Sequence, residues 1–222
     1  MKWQEDLYSD DYFSDRFSND KKRINSYYKE KQFLEKYTDF NGVICDVGCA
    51  TGEFLDCIGW EGQRYGMEVN AMAIEEAKKR NISFERSILT EVNFFDVVVF
   101  RGTIQHLPSP FIYMQEAYSS LVSGGIIVFL ATPNANSVVY KIHNTLPALG
   151  ADMNFYIPSD ITLTDNLKNI GIEILEINYP YWNSPYIKLF SDHLNFILSI
   201  ILHRKPKYAF WGNMMNVIGK KP

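Results

Sequence analysis

One stretch constrains the fold more than any other part of the sequence: residues 43–54, VICDVGCATGEF. An apolar, β-branched run ends at Asp46, glycines follow at positions 48 and 52, and a helical pattern of apolar residues begins at Phe54. This order predicts a strand, a tight turn and a helix. Glycine lets a turn bend sharply and leaves room for a ligand, and a helix N-terminus offers free N–H groups. We therefore expect a nucleotide-like ligand at this turn.

The spacing of the turn residues separates two kinds of ligand. A dinucleotide fingerprint needs Gly-x-Gly-x-x-Gly, but counting from Gly48 its second and third glycines are replaced by Ala50 and Glu53. The pattern that remains, Asp-x-Gly-x-Ala-x-Gly, resembles the first motif of class I S-adenosylmethionine-dependent methyltransferases. The resemblance implies that S-adenosylmethionine binds here, with contacts from Asp46, Gly48, Cys49, Ala50, Gly52 and Phe54.

A second acid follows at the sequence separation at which folds of this kind place a ribose-binding carboxylate. Glu68 ends the short strand pattern RYGME, twenty residues after Gly48. A carboxylate in that place can accept hydrogen bonds from both ribose hydroxyls. Glu68 and the adjacent Val69 are therefore our candidates for the ribose side of the site. The alternative is an ordinary strand–helix–strand turn with an incidental acid.

The remaining pattern predicts the rest of the fold. Further strands are expected at 82–84, 94–100, 126–130 and 172–177, with helices between them. The resemblance implies an α/β, Rossmann-like, doubly wound sheet of seven strands, with an antiparallel last strand and helices on both faces. We expect one domain over 1–222, composed of an N-terminal lid or cap (1–40), a cofactor-binding core (41–180), an insertion (181–207) and a final strand (208–222).

Two loops complete the site that the resemblance implies. Ser87 and Ile88 occupy the place where the family contacts adenine, although the family often has an acid there and this chain has none. Arg101, Gly102 and Thr103 follow a nearly unbroken apolar strand pattern, so their loop should face the methyl group.

His106 lies in the same loop and is the candidate catalytic residue. Histidine exchanges a proton readily near neutral pH, which an oxygen nucleophile needs. The alternative is that His106 holds the loop by hydrogen bonds, because positioning alone can suffice for an amine acceptor.

Two segments outside the core leave alternatives open. Residues 1–40 are rich in aromatic side chains, and 21–37 keep helical spacing; this region is either a lid over the cofactor, as the resemblance suggests, or a cap on a sheet edge. The insertion holds the apolar run 194–202 followed by the basic HRKPK. It could contact a membrane surface through 194–207, form a dimer, roof a pocket or pack on the domain. The oligomeric state is left open.

Composition bears on partners and location. A formal net charge of −4 argues against a nucleic-acid partner. The chain opens without a signal-peptide pattern and has no apolar run of about 20 residues, so we expect a cytoplasmic protein without a transmembrane segment. Three cysteines, at positions 45, 49 and 57, indicate reduced thiols, and their spacing does not fit a metal site.

These observations predict a function with named alternatives. The favoured one is S-adenosylmethionine-dependent methyl transfer to a small molecule, such as a hydroxyl of a sugar or secondary metabolite. The second is a non-catalytic cofactor-binding or partner-binding module on the same fold. A nicotinamide oxidoreductase is the third, and the broken glycine fingerprint weakens it.

Overall fold

The protein is an α/β molecule built around one mixed sheet. Its structure, a computed structural model, describes residues 21–147, 149, 154–182, 184–205 and 212–222. The strands of these residues follow the order β2-β1-β3-β4-β6-β5, and all neighbouring pairs are parallel except those that β6 makes with β4 and β5. The strands are β1 (Val43–Val47), β2 (Gln63–Met67), β3 (Phe95–Arg101), β4 (Leu121–Pro133), β5 (Glu173–Asn178) and β6 (Met214–Lys220).

Helices cover both faces of the sheet. Alternate residues of β3 point to opposite sides: Val98 and Phe100 join a core that includes residues of the fourth and sixth helices, and Val97 and Val99 join a core with residues of the first three. The helices are α1 (Lys21–Leu34), α2 (Glu53–Ile58), α3 (Ala71–Lys78), α4 (Pro110–Ser120), α5 (Val138–His143), α6 (Asp160–Asn169) and α7 (Leu189–Ile201), with a 3₁₀ turn at Ile104–His106.

Side-chain caps start two of these helices. The Asn70 side chain accepts a hydrogen bond from the Ala73 N–H at the start of α3. Ser159 forms a capping box with Thr162 at the start of α6. Each cap satisfies N–H groups that have no partner within the helix itself.

The prediction of seven strands needs correction. Among the described residues the sheet has six strands, and the expected strand at 82–84 is a single bridge between Tyr65 and Ser83. The extended part of this segment is only three residues long, because a turn with positive φ at Asn81 precedes it and a bend at Glu85 follows it. Ile82 and Phe84 pack beside Gly66. The segment thus joins the edge strand through side-chain packing and one bridge, and a longer ladder does not form.

The expected boundary between α4 and the next strand also moves. The strand was expected at 126–130, but α4 ends at Ser120 and β4 begins at once, so that β4 includes Gly124 and Gly125. The register of β4 against β3 shifts between the pairs Phe95–Leu121 and Val97–Ile126, so the glycines lie in a bulge of the strand.

The described residues of the insertion contain one helix, α7, which includes most of the apolar run identified in the sequence. In the part of the chain that the structure describes, no helix has the length and apolar character needed to cross a bilayer. Residues 1–20 of the predicted lid and 206–211, where the final strand was expected to begin, lie outside the described residues.

Candidate functional site

A pocket lies at the carboxyl ends of β1 and β3, where α1 and α2 approach the sheet. In parallel sheets of this kind, ligands bind beyond the carboxyl ends of the strands. The lining comes from α1, the β1–α2 turn and the end of β3: Arg23, Tyr27, Asp46, Gly48, Cys49, Ala50, Thr51, Glu53, Phe54 and Arg101.

The turn from β1 to α2 needs its glycines for its own packing. Gly48 and Gly52 have φ angles of +78° and +75°, which side chains rarely adopt. A Cβ atom on Gly48 would stand 2.6 Å from the Thr103 side chain, and one on Gly52 would collide with Ile82. The added atoms would meet protein groups, so the glycines serve the close packing of the turn; they were expected to leave room for the ligand.

Asp46 is a buried acid on the wall of this pocket. Its Oδ1 atom has no hydrogen-bond partner among the described residues. Burial raises the pKa of Asp46 to about 7, although the positive charge of Arg101 opposes the shift. A buried carboxylate oxygen without a partner is costly, and a cationic or hydrogen-bonding ligand group would satisfy it.

Glu68 is held in place by three backbone N–H groups. The N–H of Ala50 donates to Oε2 at 3.0 Å, and those of Val69 and Asn70 donate to Oε1 at 2.7 and 3.0 Å. The first of these bonds ties the β1–α2 turn to the end of β2. The carboxylate is therefore oriented beside the turn before any ligand arrives.

Helix α1 is fastened to the site by two buried or half-buried ion pairs. Arg101 donates to both carboxylate oxygens of Glu30, at 2.7 and 3.1 Å, and its guanidinium lies 4.4 Å from the centre of the Tyr27 ring. Arg23 donates to Glu53 at 2.8 Å. Both arginines that line the pocket are thus paired within the protein.

Sequence reasoning did not single out the residues of α1 in this network. Arg23, Tyr27 and Glu30 are spaced by four and three positions, so they lie on one face of the helix. This spacing could have been read from the sequence, because residues three and four positions apart lie next to each other on a helix. Arg23 and Glu30 on the same face as Tyr27 indicate that this face contacts other polar groups.

The loop after β3 is a compact turn. The Thr103 hydroxyl donates to the Arg101 carbonyl at 3.1 Å, and the Gln105 amide donates to the Gly102 carbonyl at 2.9 Å. The backbone carbonyl of Gln105 accepts a hydrogen bond from the backbone N–H of Phe155 at 2.9 Å. The half-buried His106 ends the 3₁₀ turn, with its Nε2 atom 3.1 Å from the Gln105 amide nitrogen. His106 thus lies between the end of the central strand and the segment around 155.

The structure brings together part of the predicted set. Six predicted residues line the pocket itself: Asp46, Gly48, Cys49, Ala50, Phe54 and Arg101. Glu68 is joined to them through Ala50, and Thr103 through its contact with Gly48. The remaining predicted residues lie outside the lining: Gly52, Val69, Ser87, Ile88, Gly102 and His106.

Ile88 is the predicted residue whose side chain is worst placed for a ligand. It is fully buried in the core on one face of the sheet, so only its backbone could touch adenine. The neighbouring Ser87 is engaged in a local turn, where its N–H donates to the Thr90 hydroxyl at 3.0 Å. Leu89, which sequence reasoning passed over, is the exposed apolar residue of this segment.

The cysteines lie in or near the core. Cys45 and Cys49 are buried, and burial raises the pKa of both thiols. Over the described ranges, no group of three or more His, Cys, Asp or Glu side chains is placed to hold a metal ion.

Comparison with known proteins defines the class. A family model described as "Methyltransferase domain" matches residues 19–196, so the chain belongs to that family. A carboxy-S-adenosyl-L-methionine synthase from Campylobacter jejuni is 31% identical over 108 residues, which are 43% of this chain and 46% of that protein. The match therefore spans about half the length of this curated relative.

Two solved structures share the fold. A magnesium protoporphyrin IX methyltransferase from Synechocystis, with bound SAH, has a TM-score of 0.66 at 11% identity, covering 100% of this chain and 99% of that one. A structure from Thermotoga maritima, described as a possible histamine N-methyltransferase, has a TM-score of 0.61 at 19% identity and covers 93% and 97%. At these identities the likeness shows the fold alone.

The predicted family and fold are confirmed: the chain is a member of the methyltransferase-domain family with a Rossmann-like α/β fold. The cofactor predicted from its first motif is S-adenosylmethionine. The residues of the pocket fit that cofactor. Asp46 offers an unsatisfied, buried carboxylate oxygen, and Glu68 offers a carboxylate that the backbone has already oriented.

Proposed function

We propose that the protein transfers the sulfonium methyl group of S-adenosylmethionine to a small-molecule acceptor, such as a hydroxyl of a sugar or secondary metabolite. The observation that carries the cofactor part is the Glu68 carboxylate, fixed by the N–H groups of Ala50, Val69 and Asn70 next to the β1–α2 turn. An acid held in this way accepts two hydroxyl donors without reorganisation, which suits a ribose.

The two acids of the site have separate roles in this proposal. Glu68 accepts hydrogen bonds from the ribose hydroxyls. Asp46, with its unpartnered Oδ1 in the pocket wall, receives the ammonium group of the methionine part. The exposed Val69 and Leu89, with the backbone of Ser87 and Ile88, form the surface for adenine.

Helix α1 closes the pocket from one side in this proposal. Its Arg23 and Tyr27 line the cavity, and the Arg101–Glu30 pair anchors it to the end of β3. Residues 1–20 precede this helix, and the lid role assigned to 1–40 stays a prediction for them.

The pairing of the pocket arginines favours an acceptor without phosphate. Arg23 is neutralised by Glu53 and Arg101 by Glu30, so neither presents a free charge to a phosphate group. The acceptors named for the two fold neighbours, histamine and magnesium protoporphyrin IX, are small molecules as well.

The chemistry asks for few protein groups. S-adenosylmethionine supplies a methyl group on a positively charged sulfur, a strong electrophile. The acceptor atom has to lie in line with the breaking carbon–sulfur bond, so orientation provides much of the acceleration. A hydroxyl acceptor also loses its proton, and His106 in the turn after β3 is the group proposed to take it.

Calorimetric titration of the purified chain tests the proposal. Binding of S-adenosylmethionine and of its demethylated product at one site per chain is expected, and NADH should give no heat. If the folded protein gives no heat with either sulfur ligand, the cofactor assignment is wrong.

Incubation with a methyl-labelled cofactor and fractionated cell extract should then place the label in small molecules. Binding without any turnover would favour the non-catalytic module.

The affinity for S-adenosylmethionine should rise with pH because of Asp46. Its pKa of about 7 means that the carboxyl is mostly neutral at low pH and ionised at higher pH. A ligand ammonium group binds the ionised form, so binding releases a proton. Between pH 5.5 and pH 6.5 the affinity should increase by up to about eightfold, below the range in which an α-amino group itself titrates.

Calorimetry in buffers of different ionisation enthalpy measures that proton release. Asp46→Asn keeps the shape of the side chain and removes the titration, so the slope with pH should vanish. An equal slope in the variant would show that another group titrates.

A further inference from the structure

Helix α7 exposes an apolar face. Phe190, Leu194, Ile197 and Ile201 are 84%, 46%, 53% and 65% exposed. Their spacing of four, three and four residues places them on one stripe of the helix. Leu189 and Ile200 extend the stripe on one side and are also exposed. A continuous exposed apolar surface such as this stripe on α7 indicates a binding site for an apolar partner.

The opposite face of α7 is polar and faces the protein. Asp192 is buried, where its carboxylate accepts from the Tyr181 hydroxyl at 3.1 Å and from the Lys188 N–H at 2.9 Å. Ser199 is buried as well and lies 2.9 Å from Nε2 of His143 in α5. The bonds to Tyr181 and His143 join the helix to other parts of the chain, so its apolar stripe cannot turn inward without breaking them.

The exposed Lys and Arg side chains of residues 184–205 have no exposed acid among them in that segment. Within 184–205 the only acid is Asp192, which is buried, whereas Lys188, Arg204 and Lys205 are exposed near the two ends of the helix. The chain as a whole carries a formal charge of −4. A cationic, apolar surface on an acidic protein is complementary to a partner that is anionic at its surface and apolar beneath it.

This charge pattern disfavours a second copy of the chain as the partner. A twofold contact through the stripe with antiparallel helices would bring Lys188 of one copy close to Arg204 and Lys205 of the other. No exposed acid of residues 184–205 could neutralise these charges. Like charges held together in a desolvated contact are destabilising.

We infer that α7 docks on an anionic lipid surface, lying flat with its apolar stripe among the acyl chains and its cations at the headgroups. Its 13 residues are too few to span a bilayer, which needs about 20. The helix packs on α5, where Phe196 contacts the small core around Val139 and Leu146. This packing attaches α7 to α5, the helix that follows the carboxyl end of β4.

Co-sedimentation of the full chain with lipid vesicles tests the inference. The chain should bind vesicles that contain phosphatidylglycerol, bind vesicles of phosphatidylcholine alone at least about tenfold more weakly, and be released by high salt. The assay contains neither cofactor nor acceptor, so its result is independent of the proposed methyl transfer.

Matched variants assign the binding to the stripe. Phe190→Ser combined with Ile197→Ser should reduce the vesicle partition coefficient by about tenfold or more. Ile112→Ser in α4 is the control, because Ile112 and Ile197 are both 53% exposed, and it should bind like the wild type. Lys188→Gln should weaken binding to the anionic vesicles by about fivefold. Circular dichroism and a thermal melt establish that each variant is folded.

Three outcomes would overturn the inference. The first is a wild-type chain that does not bind the anionic vesicles. The second is a stripe variant that binds as well as the Ile112→Ser control. The third is a wild-type dimer in analytical ultracentrifugation that the stripe substitutions dissociate, which would assign the face to a second copy of the chain.

Discussion

Replacing Glu68 with Gln is expected to weaken S-adenosylmethionine binding by about 1.5–3 kcal/mol, a loss of roughly 10- to 150-fold in affinity. The substitution keeps the size of the side chain but removes its charge and one acceptor oxygen. Both oxygens of Glu68 already accept backbone N–H groups, one from the β1–α2 turn and two from the start of the next helix. The amide can accept at one oxygen only, so it also loosens the turn.

The affinities of cofactor and product together identify the contact. The demethylated product has the same ribose, so Glu68→Gln should weaken both ligands by the same factor. Glu85→Gln is the matched control, because Glu85 is an exposed acid in the segment that leads to the proposed adenine surface. It removes one charge from the region without disturbing the bonds of Glu68, and its effect should stay below about twofold.

The expected loss also distinguishes the ribose role from a structural one. Thermal unfolding of Glu68→Gln without ligand reports how much of the effect comes from the turn. A normal melting temperature with a large loss of affinity would support the ribose contact. Unchanged dissociation constants for both ligands would show that Glu68 does not bind the ribose and that another residue of the site does.

The part of the site that local sequence predicts well is the strand–turn–helix at its centre. Parallel neighbouring strands place their carboxyl ends side by side, so Glu68, which directly follows β2, had to come close to the turn that follows β1. The 3.0 Å bond between Ala50 and Glu68 is the result. The spacing of these residues was sufficient because the whole unit is short and regular.

Elements that depend on distant partners were predicted less well. A single bridge forms at Ser83 instead of a strand, because the turn at Asn81 and the bend at Glu85 leave only three extended residues beside β2, and periodicity does not show where the chain turns away. Likewise, Glu30 and Arg101 meet across 71 positions of the chain, and no local pattern relates them. Sequence patterns report the period of an element well, and they report its neighbours poorly.

Helix α7 shows the same limit. The sequence predicted an apolar element with a basic end, but it left open which face would be buried. That face is determined by the Tyr181 hydroxyl and by His143, which bind Asp192 and Ser199. Because these two polar residues of the helix are buried against their partners, the apolar stripe is the side left exposed.

His106→Asn is expected to lower kcat by about 100-fold or more if the acceptor is a hydroxyl, with little change in the affinity for S-adenosylmethionine. His106 ends the turn after β3, outside the lining of the cofactor pocket, so the cofactor should bind normally. Asparagine keeps a polar side chain that can hydrogen-bond in the turn but cannot take up a proton. The predicted loss of kcat therefore comes mainly from the missing proton transfer and less from a change in the shape of the loop.

The pH dependence of kcat separates the two roles of His106. If His106 is the base, the wild-type kcat should fall at low pH, where the imidazole becomes protonated. The pH profile of the residual activity of His106→Asn should lack this decrease. His203→Asn, which changes an exposed histidine beyond α7, should keep both the rate and the profile. If His106→Asn instead retains near-normal kcat and the same profile, His106 holds the turn through its contact with Gln105. Orientation of the acceptor would then supply the acceleration without a base, as an amine acceptor would allow.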